Sequence, residues 1–210
     1  MFGNCKINYQ LSIVNYQLFP IAFMENINPI SAMTDRRPTW DEYFLMLAKL
    51  AAMRSSCLAF PVGAAIVKNK QVLATGYNGS PAGSAHCTTQ GYCYPGLSSC
   101  DASKILPSRA VHAEANAIAQ AAKHGISTEG ACIYVTLEPC LSCLKLIISA
   151  GIHEVFYETS FNSGDKALVR DSFINEGLVT LKQIHLPETI TQKAASFLLN
   201  PTSILGNKNI

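Results

Sequence analysis

His112-Ala113-Glu114 and, further along, Pro139-Cys140-Leu141-Ser142-Cys143 put four reactive side chains into two short motifs. One imidazole and two thiols are a donor set for zinc, and three protein ligands leave the fourth tetrahedral position open to water. Zinc held in an open site turns that water into a nucleophile at neutral pH. Glu114 is the carboxylate that need not be a ligand, and its natural work is to move protons. The competing reading of the same residues is a closed structural zinc completed by a fourth ligand, with Glu114 a surface carboxylate.

Spacing sharpens the geometry. Cys140 and Cys143 are three apart, so on a helix both sulfurs face one point. His112 and Glu114 are two apart and inside a helix would point to nearly opposite sides. They converge only where the backbone is not yet helical. Both motifs therefore predict a helix start at the metal. There, unpaired N–H groups and the positive dipole end offset the negative charge of zinc bearing two thiolates and a hydroxide.

Those two helices need a frame. Thr39 with Glu42 forms a capping box behind Pro38, and a helix follows to about Ser56 with Tyr43, Phe44, Leu47, Leu50 and Ala51 on one stripe. Val62–Val67 and Val72–Tyr77 read as a hairpin turned at Asn69-Lys70. Residues 79–108 show no period, which in a compact domain marks a functional or stapled loop. Then come helix Val111–His124 closed by Gly125, strand Ala131–Thr136, helix Cys140–Ala150 ending at Gly151, and strand Val155–Glu158. Helix Lys166–Asn175, strand Leu178–Ile184 and a helix over Ile190–Leu199 complete the order. The fold class is α/β: a three-layer α-β-α arrangement around a mixed sheet of about five strands.

Composition bounds the function. A chain of 210 residues with 49% hydrophobic and 14% charged residues has one substantial core. A net charge of +2 is too weak for a protein that wraps a nucleic-acid polymer. No apolar run reaches membrane-spanning length, so no membrane partner is expected. The eight cysteines, without a secretion signal, suit thiolates in a reducing cytoplasmic compartment better than disulfides. Cys132, in an apolar strand, is expected to be an inert thiol.

The near repeat of Ile7–Ser12 at Val14–Phe19 has neither helical nor strand period. Residues 1–33 are accordingly read as a non-native or disordered extension, with translation starting near Met33, residues 34–186 as the folded domain, and 187–210 as a peripheral tail.

The chain resembles the zinc-dependent cytidine deaminase superfamily, and within it the deoxycytidylate (dCMP) deaminases. The resemblance spans about residues 37–160. Its zinc motifs are common to the superfamily. The dCMP branch is marked by Arg37-Pro38-Thr39-Trp40-Asp41-Glu42-Tyr43-Phe44 and by Gly76-Tyr77-Asn78-Gly79-Ser80-Pro81-Ala82-Gly83, with His86-Cys87 behind. It implies a cytidine deaminase-like fold and hydrolysis of dCMP to dUMP and ammonia for thymidylate supply. A zinc-activated hydroxide would attack C4 of cytosine, with Glu114 as shuttle. It further implies that Asn78 touches sugar or base, unless it merely closes its turn, and that Arg109 holds the 5′-phosphate, unless it is a surface arginine. Tyr157 either packs near the base or belongs to the core. Some phage relatives carry a second, structural zinc at positions matching Cys57 and Cys87; here Cys93 and Cys100 would complete it, with His86 as an alternate. Relatives are often homohexamers with dCTP and dTTP as effectors.

Glu138, in Thr136-Leu137-Glu138-Pro139-Cys140, departs from the dCMP pattern toward tRNA adenosine deaminases and riboflavin-pathway enzymes. A tRNA adenosine or other nucleoside deaminase is therefore one alternative. The other is a non-enzymatic zinc protein serving as an accessory factor in DNA uptake.

Overall fold

In the computed structural model, which describes residues 37–90, 96–97, 105–106, 109–161 and 167–199, helix α1 (Trp40–Ala52) opens the fold. Thr39 caps it reciprocally: its Oγ1 accepts from the Glu42 N–H at 3.3 Å, and Glu42 Oε2 accepts from the Thr39 N–H at 2.7 Å. The helix stops at Met53, short of Ser56. The stripe it buries runs through Phe44, Leu45 and Ala48, while Tyr43 and Leu50 face out, which corrects the expected face. The cause lies on the strand beneath. A Cβ at Gly63 would collide with the Ala48 carbonyl and the Ala52 amide, so the helix rests its small-residue edge directly on the sheet.

Strands β1 (Gly63–Lys68) and β2 (Gln71–Tyr77) form the hairpin. Asn69 and Lys70 take φ of 52° and 62°, the two-residue left-handed turn whose twist suits a hairpin. Residues 79–108, expected as featureless loop, contain the short helix α2 (Cys87–Gln90) and two paired strands, β3 (Gly96–Leu97) and β4 (Ile105–Leu106). Elements this short leave no readable period. Helix α3 (Ala113–Lys123), strand β5 (Cys132–Leu137), helix α4 (Leu141–Ser149) and strand β6 (Glu154–Thr159) follow, then helix α5 (Ala167–Asn175) and strand β7 (Thr180–Gln183).

The sheet order is β2-β1-β5-β6-β7; β1 pairs antiparallel with both neighbours, and β5, β6 and β7 run parallel. Alternate residues of β1 serve opposite faces. Ala64 and Ile66 join Ile133, Val135 and Val155, with Ala113 and Ala117 of α3 and Leu144 and Ile147 of α4. Ala65 and Val67 join Tyr134, Phe156 and Phe44 of α1. A sheet buried on both faces between helices is the three-layer α-β-α architecture read from the sequence.

Helix α6 (Glu188–Leu199) falls outside the compact unit Pro38–Pro187. The extension expected at 1–33 and the end of the expected tail, 200–210, lie outside the described residues. Among the described residues no helix is long and apolar enough to cross a membrane.

Candidate metal centre

His112 and Cys140 are each the N-cap residue of their helix, α3 and α4, in extended conformation with ψ of 153° and 163°. An N-cap residue has non-helical backbone, so its side chain is free to turn across the helix end. That resolves the awkward two-residue spacing of His112 and Glu114. Cys143 sits in the first turn of α4 and is buried. The three donor atoms all lie within 4.8 Å of one another, with Cys140 Sγ at 3.6 Å and Cys143 Sγ at 3.3 Å from His112 Nδ1. Zinc bond lengths at a tetrahedral angle require a sulfur–nitrogen separation of about 3.5 Å. The donor set therefore fits zinc in both chemistry and spacing.

The donors are electrostatically tied. Hydrogen bonds to Cys143 and His112 pull the Cys140 thiol down to about 3. The reciprocal bond to Cys140, then burial, pushes Cys143 up, and the bond to Cys140 raises His112 against its own burial. A dication would replace the shared protons in this cluster. Glu114, in the first turn of α3, is 3% exposed. Burial raises its carboxyl, opposed by its backbone hydrogen bond and by the charge on His112, and it hydrogen-bonds to Cys143.

Neither N-cap side chain caps its own helix, since both face the donor cluster. For α3 the missing acceptor comes from β2's exit. Asn78 Oδ1 accepts from the Ala113 N–H at 2.7 Å, and Asn78 Nδ2 donates to the Phe60 carbonyl at 2.9 Å. Asn78 is 6% exposed, so both bonds are shielded. Its main-chain carbonyl also accepts from Ser55 Oγ and the Ser56 N–H. Two further links fix the helix entry. Gly79 and Val111 exchange both backbone hydrogen bonds, and Asn116 Nδ2 donates to the Tyr77 carbonyl at 2.8 Å. Gly76 lets α3 sit directly on β2, because a Cβ there would meet the Ala113 carbonyl and the Ala117 amide. The sequence reading missed this capping from a distance. Its one signal was a helix start whose cap position held histidine in place of Ser, Thr, Asp or Asn.

The remaining sequence-selected residues lie on other segments of the chain. Arg109 is exposed on the segment entering α3, with Nη2 donating to Ser84 Oγ. Tyr157 is half-buried on β6 and lines a cleft of about 550 Å³ with Glu138, Ser160, Phe161 and Arg170. Cys57 is half-buried, with Sγ accepting from the Phe60 N–H, and Cys87 is buried at the start of α2. Cys93 and Cys100 lie outside the described residues. Among the described residues, the His/Cys/Asp/Glu group within metal-binding range is His112, Cys140 and Cys143. Cys132 donates to the Val67 carbonyl at 3.3 Å, and burial pushes its thiol up. Glu138 is occupied by the protein itself: Oε1 accepts from Arg170 Nη1 at 2.7 Å and Oε2 from the Phe161 N–H at 3.0 Å.

Residues 38–159 match the family model of the cytidine and deoxycytidylate deaminase zinc-binding region. ComE operon protein 2 of Bacillus subtilis (strain 168) is 42% identical over 154 residues, 73% of this chain and 76% of that protein. The deoxycytidylate deaminase of Mycobacterium phage D29 is 46% identical over 127 residues, 58% of this chain and 95% of that one. Among solved structures, the dCMP deaminase of cyanophage S-TIM5 in complex with dCMP and dUMP is similar with a TM-score of 0.56 at 28% identity, covering 71% of this chain and 100% of that chain.

Proposed function

The chain belongs to the cytidine and deoxycytidylate deaminase family, and from that membership we propose that it hydrolyses dCMP to dUMP and ammonia. The observation that carries the reading is Glu114, a carboxylate 3% exposed against a His-Cys-Cys donor set. A closed structural metal site has no use for a carboxylate that is so costly to bury.

His112 Nδ1, Cys140 Sγ and Cys143 Sγ would hold a zinc ion. The ion would supply Lewis-acid activation, lowering the pKa of a water bound to it toward neutrality. Glu114 accepts a proton from the water as oxygen adds to C4 of cytosine, and passes it to N3. It then carries the hydroxyl proton of the adduct to the amino group, which leaves as ammonia. Each proton taken is returned, so Glu114 ends as it began. Asn78 keeps one Nδ2 hydrogen for the sugar or base, Arg109 offers a guanidinium fork to the 5′-phosphate, and Tyr157 packs toward the base.

The same reading includes a structural zinc held by Cys57, Cys87, Cys93 and Cys100; metal analysis giving two zinc ions per chain supports it, and one overturns it. It also includes a homohexamer regulated by dCTP and dTTP, checked by sedimentation and by assays with each effector.

Ammonia release is to be measured from cytidine, deoxycytidine, CMP, dCMP and dCTP, each with and without dCTP as effector. The expected result is a clear preference for dCMP. Zinc-loaded protein that releases ammonia from none of them refutes the proposal. A tRNA anticodon stem-loop in the same panel tests the adenosine alternative, whose sequence support weakens with Glu138 engaged by Arg170. The accessory-protein alternative draws on the 42% identity to ComE operon protein 2. It would stand if Glu114→Ala kept the native function and zinc content.

A further inference from the structure

We propose that Glu138 and Arg170 form a clasp that holds the chain leaving β6 as one wall of the nucleotide site. Glu138 is then a positioning residue, and the proposal rests on the deaminase reading above. Strands β5 and β6 are parallel, with Leu137 in register with Thr159, so both leave the sheet at the same end. In sheets of this kind, ligands bind outside the carboxyl ends of the strands. From that end β5 leads through Glu138 and Pro139 to the metal donor Cys140, and β6 leads to Ser160 and Phe161.

Glu138 fastens these two exits together. Its N–H donates to the Thr159 carbonyl at 2.8 Å, continuing the ladder past the strand end. Its carboxylate then does what a ladder cannot. Oε2 accepts from the Phe161 N–H at 3.0 Å, and Oε1 accepts from Arg170 Nη1 on α5 at 2.7 Å. The carboxylate is 7% exposed, so it depends on both partners. Arg170 is oriented in turn by Asp171, which accepts from its Nε at 3.0 Å. None of these contacts involves a metal donor. The clasp acts on Ser160 and Phe161, and Phe161 keeps 36% of its surface exposed and available to a ligand. Together with Tyr157 it lines the cleft beside Glu138.

The test uses the zinc-loaded full chain with Glu138→Gln, Arg170→Met and Arg170→Lys. The clasp predicts unchanged zinc content, kcat within about twofold of wild type, and KM for dCMP raised about fivefold or more in Glu138→Gln and Arg170→Met, the pattern of lost uniform binding. Arg170→Lys keeps the cation and is expected to fall between. Amide exchange at Phe161 should accelerate in Glu138→Gln while β5 amides stay protected. Variants with unmoved KM, or with kcat lowered at unchanged KM, overturn the clasp alone, and so does loss of zinc. Wild-type protein that releases no ammonia from dCMP overturns the deaminase reading, and the clasp's role falls with it.

Discussion

Replacing Asn78 with alanine tests whether the helix that presents His112 and Glu114 is held from β2. The substitution removes the acceptor for the Ala113 N–H and the donor for the Phe60 carbonyl. Loss of a helix cap costs about 1 kcal/mol, and up to about 2 in proteins. Here the orphaned Ala113 N–H is buried, so the desolvation penalty of about 1–3 kcal/mol is the better guide. The bond to Phe60 is half-buried and adds about 1 kcal/mol. The sum, about 2–4 kcal/mol, is a large share of a domain stability of about 5–15 kcal/mol. For a chain of this size it lowers Tm by roughly 4–16 °C. Thermal melts should be run on zinc-saturated and zinc-stripped protein. Because the lost bond lies between His112 and Glu114, zinc affinity should fall too, and the Tm gain from zinc should shrink. Asn78→Asp keeps an acceptor for Ala113 but sets a buried carboxylate against the Phe60 carbonyl, so it should not restore wild-type stability. Asn78→Ala melting within about 1 °C of wild type, with an undiminished gain from zinc, would refute the reasoning.

Glu114→Gln should keep its zinc by metal analysis and lose about 10²–10⁴-fold in kcat; near-normal turnover would exclude Glu114 as the shuttle. Gly76→Ala puts a methyl against the backbone of Ala113 and Ala117, where no side chain can give way. It should cost about 1–3 kcal/mol in denaturant titration and weaken zinc binding; unchanged stability would show that α3 can lift at no cost. Burial first, then the hydrogen bond to Asp41 at 2.7 Å, pushes the Tyr134 hydroxyl above its usual value. A raised native pKa gives stability that is complete below the unfolded value near pH 10 and is lost as pH rises beyond it, because the unfolded chain releases the proton first. Tyr134→Phe should flatten that alkaline decline in urea titrations, and identical slopes would contradict the assignment.

The fold was legible wherever a residue's type reported its own backbone. Thr39 with Glu42 marked the first helix, Asn69-Lys70 the hairpin, and Gly151 with φ of 74° the end of α4. The donor grouping was legible for the same reason, since His112 and a Cys-x-x-Cys name their donor atoms. Contacts made at a distance were not legible. The face that α1 buries is set by Gly63 on a strand beneath it, and no stripe within the helix announces that. Asn78 in a Gly-rich loop suggested a ligand contact or a turn; its cap on α3, 35 residues away, appears only after folding. Glu138 read as a hint about substrate because its partner Arg170 lies 32 residues further on.

The two cap positions that face each other carry a consequence for chain entropy. His112 and Cys140 are 28 residues apart. An ion bonded to both would be a cross-link that closes the loop containing all of α3 and β5. A covalent link around a loop of that size restricts the unfolded chain by about 3–4 kcal/mol. An ion held by this donor set would thus also be a staple between the two helices on one face of the sheet. Removing it should relax the junction of α3 and α4, so that chelation registers in hydrogen exchange across both helix starts as well as in turnover.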